Sequence, residues 1–139
     1  MSFQNPEPEA LCGMLRNEVR TIAVVGLSPR AHRPSHHIAA GLQRAGFRVI
    51  PVRPMLKEAL GEKAYPDLAS VPVAVDLVNV FRAAAEVDAV VDECLRLGLK
   101  RIWIQQGIVN EPAALRAREG GMTVVMDRCI LTDYRALCA

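Results

Sequence analysis

The sequence predicts an α/β domain in which helices cover both faces of a parallel sheet of about five strands. Short apolar runs alternate with helical segments about five times along the 139 residues. Half of the residues (51%) are hydrophobic but only 4% are aromatic. The core must therefore consist mainly of Val, Ile, Leu and Ala, which suits strands buried on both faces. The length predicts a single domain, residues 1–139.

The first half of the chain predicts two strands, each preceded by a helix. Gly46 lies where a helix needs a left-handed terminating residue, and Pro51 lies at the end of an apolar run, because proline cannot donate to a strand ladder. A polar, proline-punctuated stretch follows, with one helical turn around 58–60. The predicted elements are a helix at about 7–17, a strand at 21–26, a helix at 35–45 and a strand at 47–52.

The second half repeats the alternation of strands and helices. The predicted elements are strands at 75–81, 101–105 and 122–126, and helices at about 84–97, 111–119 and 132–137, with the core spanning 21–129. Strands joined by helices form a three-layer, doubly wound sandwich, and we expect the strand order 3-2-1-4-5. Ligands of such sheets bind beyond the carboxyl ends of the strands, so the residues after each strand are the candidates for a site.

Composition and charge exclude several classes of function. The net charge of +2 is nearly neutral and predicts no nucleic-acid partner. No apolar run is long enough to span a membrane, and the acidic, proline-rich start is not a secretory signal. The cysteines have neither a close CxxC pair nor a repeated spacing, which predicts reduced thiols, no zinc and a cytoplasmic protein. They are Cys12, Cys94, Cys129 and Cys138.

The loop after the first strand is a candidate phosphate site. Gly26 allows close backbone approach, and Pro34 and Ser35 are typical of a helix start. Backbone N–H groups there, together with Ser28, Arg33 and Ser35, can hold a pyrophosphate. Of the GxGxxG fingerprint only the first glycine is present, so a simple strand-to-helix turn is the alternative.

The ends of the second and third strands add cations. An NAD-binding protein needs a carboxylate after the second strand, whereas this sequence has Arg53 and, further on, Lys57. A cation there suits a phosphorylated ribose, either the 2′-phosphate of NADP or the 3′-phosphate of coenzyme A, unless Arg53 is a solvated loop residue. Phe81 can cover an adenine or be plain core, and Arg82 can pair with phosphate.

The last two strands end in amides and a cysteine. Residues 105–110 offer side-chain amides and a glycine turn, which suit an amide-rich pantetheine arm. Asp127 and Arg128 are expected to form a local ion pair. Cys129 is the one plausible nucleophile, but no base is assigned to it, so an incidental thiol is the better interpretation.

No catalytic centre or metal site is predicted. The sequence contains neither a G-x-S-x-G turn nor the Tyr–Lys pair of short-chain dehydrogenases. His32 and His36 have a spacing that can suit a metal, but no third ligand is evident, and these residues with His37 are expected to be solvated or to lie beside a phosphate.

These residues, taken together, resemble a known family. The chain is similar to the small stand-alone CoA-binding proteins, which are related in fold to the CoA-binding domain of the succinyl-CoA ligase α subunit. The matching stretches are Val25–Ser28, Arg33–Ser35, Gly61–Leu68, Asp76–Arg82, Trp103–Glu111 and Val124–Cys129. The resemblance implies a Rossmann-like fold that binds CoA at the carboxyl edge of the sheet.

The resemblance also implies roles for individual residues. The phosphates would be served by the first loop, the phosphorylated ribose and adenine by the end of the second strand, and the rest of the ligand by the remaining strand ends. The implied residues are Gly26, Ser28, Arg33 and Ser35 for the first group, Val52 and Arg53 for the second, and Phe81, Arg82, Gln106, Gly107 and Ile108 for the third. Where the family often has Asn-Pro-Lys, this chain has Arg53-Pro54-Met55, so Arg53 or Lys57 would replace the lysine.

The sequence thus predicts a non-catalytic protein that binds CoA or an acyl-CoA as its small-molecule partner. The ligase it resembles has a phosphorylated histidine on a further domain, which this sequence lacks. Two alternatives stay open: an NADP-dependent reductase, and a regulatory or scaffold protein with a vestigial nucleotide site. The sequence predicts no oligomeric state.

Overall fold

The computed structural model describes residues 2–138, in which strands alternate with α-helices except across residues 53–76, where a short hairpin and a 3₁₀ turn connect two strands. Short 3₁₀ turns at Leu68–Ser70 and Ala84–Glu86 complete the connections. The elements in chain order are α1 (Pro8–Asn17), β1 (Thr21–Val25), α2 (Pro34–Arg44), β2 (Arg48–Val52), β3 (Glu58–Ala59), β4 (Glu62–Lys63), β5 (Leu77–Val80), α3 (Val87–Leu97), β6 (Arg101–Gln105), α4 (Glu111–Glu119), β7 (Thr123–Arg128) and α5 (Ile130–Leu137).

The five longer strands form one parallel sheet in the order β2-β1-β5-β6-β7. Beyond β2, Tyr65 forms a single parallel bridge with Val52. If the Tyr65 segment is counted as the third strand, the order is the predicted 3-2-1-4-5 with β7 as one further strand, and the doubly wound Rossmann-like class is confirmed. The prediction had assigned the third position to residues 75–81. In the structure these residues contain β5, which lies beside β1, and the Tyr65 segment lies outside β2 instead.

That polar stretch contains a hairpin where the sequence predicted a helical turn. The two-residue strands β3 and β4 pair antiparallel around Leu60 and Gly61. Both residues have positive φ, 56° and 76°. Two successive left-handed residues form the tight turn that matches the twist of a hairpin, and they cannot form a right-handed helical turn.

Each strand of the sheet contributes alternate residues to two apolar layers. Ala23, Val78 and Ile102 face α3 and α4, where small and β-branched residues dominate. Ile22 and Trp103 face the opposite layer, beneath α1, α2 and α5. This burial on both faces is what the continuous apolar strands predicted.

Each edge strand of the sheet is met at one point by another chain segment. Beyond β7, the side chain of Asn5 donates to Met126 O at 2.9 Å and accepts from Met126 N at 2.8 Å, as a neighbouring strand would. Arg118 stacks over the ring of Phe3, 4.9 Å from its centroid. At the other edge, Tyr65 meets β2 at Val52.

The prediction of four reduced cysteines is wrong for one pair. Cys12 on α1 and Cys138, just after α5, form a disulfide with their Cα atoms 5.4 Å apart. The pairing arises because α1 and α5 lie side by side, although 126 positions separate the two residues. Cys94 and Cys129 are free, and burial raises the pKa of the Cys94 thiol to about 12.

Within residues 2–138, no helix has the length and apolarity needed to cross a membrane. The same residues contain no cluster of three or more His, Cys, Asp or Glu side chains placed to hold a metal ion.

Candidate functional site: an arginine-lined cleft

The first loop leaves β1 through a glycine that the protein's own backbone requires. Gly26 has φ 90°, and its N–H donates to Val52 O at 2.8 Å. A Cβ at this position would lie 2.3 Å from Phe81 O and 3.1 Å from the Arg82 side chain. Gly26 therefore lets the ends of β1 and β5 approach each other, whatever ligand lies above them.

Two buried serines shape the loop that follows. Ser35 Oγ accepts from Ser28 N at 3.0 Å, and Ser28 Oγ accepts from Arg30 N at 3.2 Å. His36 Nδ1 lies 2.9 Å from Ser28 O, so this histidine supports the loop backbone. Because both hydroxyls already accept hydrogen bonds from the backbone, the serines fix the shape of the loop at the start of α2. Helix N-termini favour anions.

A cleft of about 740 Å³ opens beyond the carboxyl ends of β1, β2 and β5. This is the point where the chain, having run outward from β1 to β2, crosses back to the other side of β1. Four arginines and no acidic residue are among its described lining residues. The lining consists of Gly26, Ser28, Pro29, Arg30, Arg33, Pro34, Ser35, Arg53, Phe81, Arg82, Ala83 and Ile108. The positive lining favours an anionic ligand.

Arg82 separates this cleft from a second cavity of about 370 Å³. Its Nε lies 2.5 Å from Glu86 Oε2, and the hydrogen bond and charge of Arg82 hold the pKa of Glu86 below its usual range. The residues that line the second cavity include Asp67, Glu86 and Glu93 as well as Arg82. Its acidic lining makes it a poor site for phosphate, in contrast to the main cleft.

The turn after β6 borders the cleft on its far side. Ile108 N donates to Gln105 O at 3.1 Å, and Gly107 takes φ 87° within this turn. Ile108 lines the cleft, whereas Gln106 lines a separate cavity of about 160 Å³ beside Cys129. The turn therefore presents an apolar side chain to one cavity and an amide to the other.

The expected ion pair between Asp127 and Arg128 does not form. Asp127 Oδ1 instead accepts from Gly107 N at 2.8 Å. Arg128 makes two contacts of 2.5 and 2.8 Å with Asp133, which raise the pKa of the arginine. The strand is not extended at Asp127, where φ is 61°, and the two neighbouring side chains find partners on different elements.

A buried amide network lies beneath this end of the sheet. Asn79 Nδ2 donates to Trp103 O and to Gln105 Oε1, both at 3.2 Å. Gln105 Oε1 also accepts from Ile130 N at 3.4 Å, and the Gln105 residue is only 4% exposed. The Gln105 side-chain oxygen is therefore used inside the protein rather than offered to a ligand. Asn79 Oδ1 has no partner among the described residues.

The structure brings most of the predicted site residues together. Val52 lies outside the cleft and lines the second cavity, and Gln106 and Gly107 belong to the adjoining turn. The predicted residues that line the cleft are Gly26, Ser28, Arg33, Ser35, Arg53, Phe81, Arg82 and Ile108. Sequence reasoning missed Arg30, although its position in the same loop between two predicted residues was a usable indication. Lys57 is not among the described lining residues.

Fold and cleft define the class: a doubly wound, Rossmann-like α/β domain with an arginine-lined cleft at the switch point of the sheet. The model of the CoA binding domain family matches residues 20–135, and the chain belongs to that family.

Relatives of two lengths match the chain. It is 43% identical over 128 residues to a Bacillus subtilis (strain 168) protein named Uncharacterized protein YneT, covering 92% of this chain and 94% of that one. A solved structure, a hypothetical protein from Pyrococcus horikoshii OT3, is similar with a TM-score of 0.90 and 28% identity, covering 99% of each chain. The chain is also 31% identical over 95 residues to an Acetate–CoA ligase [ADP-forming] II from Archaeoglobus fulgidus. That match covers 66% of this chain but only 14% of the ligase.

Proposed function

We propose that this protein binds coenzyme A or an acyl-CoA in the arginine-lined cleft and has no catalytic centre of its own. The observation that carries the proposal is the placement of Arg30, Arg33, Arg53 and Arg82 around one cleft at the switch point of a CoA-binding-family domain. CoA carries a pyrophosphate and a 3′-phosphate, so it presents the anionic groups that such a lining attracts.

The cleft residues divide between the parts of the ligand. The pyrophosphate lies at the start of α2, where Arg30 and Arg33 join the helix N-terminus. Arg53 binds the 3′-phosphate, which its position in the lining supports over Lys57. Phe81 and Ile108 supply apolar contacts at the middle of the ligand.

The described lining favours binding over catalysis. It includes no His, Cys, Asp, Glu, Lys or Tyr side chain that would act as a base, acid or nucleophile. The hydroxyls of Ser28 and Ser35 accept backbone hydrogen bonds and are largely buried. Cys129 lies at the smaller cavity beside Gln106.

Ligand choice tests the proposal directly. Thermal unfolding and calorimetric titration are performed with CoA, acetyl-CoA, NADP and NAD. At a hundredfold excess over the dissociation constant, CoA should stabilise the fold by roughly 2.7 kcal/mol, a shift of several degrees in Tm, and NAD should do much less. A response to NADP without one to CoA would favour the reductase. No response to any nucleotide would favour the scaffold.

A turnover assay tests the absence of catalysis. The protein is incubated with CoA, ATP or GTP, and either acetate or succinate, and thioester formation is measured. No product above background is expected, and no phosphate on His32, His36 or His37 by mass spectrometry. Product or a phosphohistidine would contradict the non-catalytic assignment, while CoA binding would stand on its own titration.

A further inference from the structure

Asp127, near the end of β7, has a backbone conformation that is unfavourable for its side chain. Its φ is 61°, the left-handed region that glycine normally occupies. The pairing of β6 with β7 also shifts here, so that Gln105 is opposite Arg128 instead of Asp127. Asp127 is therefore the extra residue of an irregular step at the carboxyl edge of the sheet. Such strain persists only where the surrounding structure enforces it.

The conformation directs the Asp127 carboxylate to the neighbouring turn. Asp127 Oδ1 accepts from Gly107 N at 2.8 Å. The turn closes through the hydrogen bond from Ile108 N to Gln105 O, which leaves the Gly107 N–H pointing out of the turn. The carboxylate thus binds a backbone donor that the turn itself leaves without a partner.

The turn held in this way lies between two cavities. Ile108 lines the arginine cleft, and Gln106 lines the 160 Å³ cavity, to which Asp127 and Cys129 also belong. The turn carries no cation, and the four arginines of the cleft come from the loop between β1 and α2 and from the residues that follow β2 and β5. A carboxylate at this side would repel phosphate, whereas an isoleucine and an amide suit an uncharged, amide-containing chain.

We propose that Asp127 is a positioning residue, which holds the Gln105–Ile108 turn where it contacts the uncharged arm of the ligand and not its nucleotide end. The proposal rests on the proposed function, because it assigns one part of the CoA molecule to one side of the same site. It adds a residue that does not contact the ligand but acts through Gly107.

Three proteins and two ligands test it. Asp127→Gly accepts φ 61° without strain but lacks the acceptor, while Asp127→Asn keeps an acceptor oxygen and tolerates the left-handed conformation. CoA is compared with adenosine 3′,5′-bisphosphate, which lacks the pantetheine arm. Asp127→Gly should weaken CoA binding by about three- to tenfold, the effect of one lost hydrogen bond. It should leave the affinity for the bisphosphate unchanged. Asp127→Asn should bind both ligands with the affinity of the native protein.

A second measurement follows the turn itself without ligand. Exchange of the Gly107 amide hydrogen, read by NMR, should accelerate in Asp127→Gly and stay slow in Asp127→Asn. Thermal unfolding shows whether the glycine variant keeps native stability, as relief of strain predicts. Unchanged amide exchange in the glycine variant would show that Asp127 does not hold the turn.

The binding outcomes separate the two proposals. If the native protein binds CoA and Asp127→Gly binds it equally well, the role of Asp127 is wrong and the CoA site stands. If Asp127→Gly weakens both ligands equally, Asp127 affects the whole cleft and the assignment to the arm is wrong. If the native protein binds neither ligand, the CoA site is wrong and the role of Asp127 falls with it.

Discussion

Arginine side chains are used differently at the cleft and on the surface where α3 packs on α4. On that surface, Arg116 forms ion pairs with Asp88, at 2.8 Å, and with Asp92. At the cleft, Arg33 and Arg53 form no ion pair with any carboxylate of residues 2–138. The charge is neutralised within the protein in the first region and is left for solvent or a ligand in the second.

The difference indicates what each region contributes. An exposed ion pair between two helices adds modestly to the stability of the fold. Cations gathered around a concave lining repel one another and raise the local positive potential, and an anion bound there would offset that repulsion. Arg82 is intermediate, because Glu86 occupies its Nε while the side chain still lines the cleft. Binding and stability should therefore respond separately to substitutions in the two regions.

The largest expected effect comes from the disulfide, which lies outside both regions. Removing it should change the stability of the fold without changing the affinity for CoA. Cys12→Ser removes the disulfide to Cys138, and with it the constraint on a loop that spans nearly the whole chain. Stability should fall by about 2–5 kcal/mol. Urea unfolding measures the loss, and CoA affinity at a temperature where the variant is folded should stay within about twofold of native.

Cys129→Ser is the matched control, because Cys129 is a free thiol. It should keep native stability, and adding a reductant should destabilise the native protein and the Cys129→Ser variant alike. A native protein that is insensitive to reductant would contradict the stabilising role of the disulfide.

The second-largest expected effect is the loss of stability when Gly26, a backbone contact beneath the cleft, is substituted. Gly26→Ala places a Cβ 2.3 Å from Phe81 O at a residue with φ 90°. Strain from the positive φ alone costs about 1–3 kcal/mol, and the overlap with a backbone atom adds to it. Gly46→Ala is the control, since Gly46 has φ 107° but a methyl group there would point into open space, with no heavy atom beyond its chain neighbours within 4 Å. Equal losses in urea unfolding would show that the contact with Phe81 O is unimportant.

The third effect concerns binding and not stability. Arg53→Ala should weaken CoA by roughly ten- to a hundredfold, because a charge-assisted contact contributes about 1.5–3 kcal/mol. Dephospho-CoA, which lacks the 3′-phosphate, should bind both proteins nearly equally. Calorimetric titration of the four combinations gives the coupling, and a value above about 0.5 kcal/mol exceeds the error for independent sites. Arg44→Ala, at the exposed end of α2, should change neither ligand.

Local patterns in the sequence predicted the strands, because continuous Val- and Ile-rich runs are buried on both faces of a parallel sheet. They did not predict that β5 lies beside β1, since the polar stretch before it contains no pattern typical of a strand at Tyr65. The hairpin at Leu60 and Gly61 was missed because Leu60 has positive φ, which side-chain pattern does not predict.

The cleft was predictable to the extent that strand ends converge at one edge of a parallel sheet. Which side chains reach into it was not, because hydrogen bonds between distant segments decide that. The Gln105 side chain accepts a hydrogen bond from Asn79, 26 positions away, and the Asp127 carboxylate accepts one from Gly107 N, 20 positions away. The sequence did not predict the disulfide for the same reason, since only the packing of α1 against α5 brings its two cysteines together.

The smallest effect tests the other half of the comparison, the paired arginine. The hydrogen bond from Arg116, with a second from Asn110, holds the pKa of Asp88 below its usual value of 3.8. A carboxyl whose pKa is lower in the folded state stabilises the fold above its unfolded pKa and loses that contribution as the pH falls through the folded pKa. Asp88→Asn should therefore lower stability at pH 7 and lose this difference well below pH 3.8, as urea unfolding across the pH range would show. The difference in stability should also shrink in high salt, because both side chains are exposed.

Arg116→Ala should lower stability at pH 7 as Asp88→Asn does and leave CoA affinity unchanged. This is the reverse of Arg53→Ala, which should change CoA affinity and not stability. A loss of CoA affinity in Arg116→Ala would mean that the two groups of arginines are not separate in function.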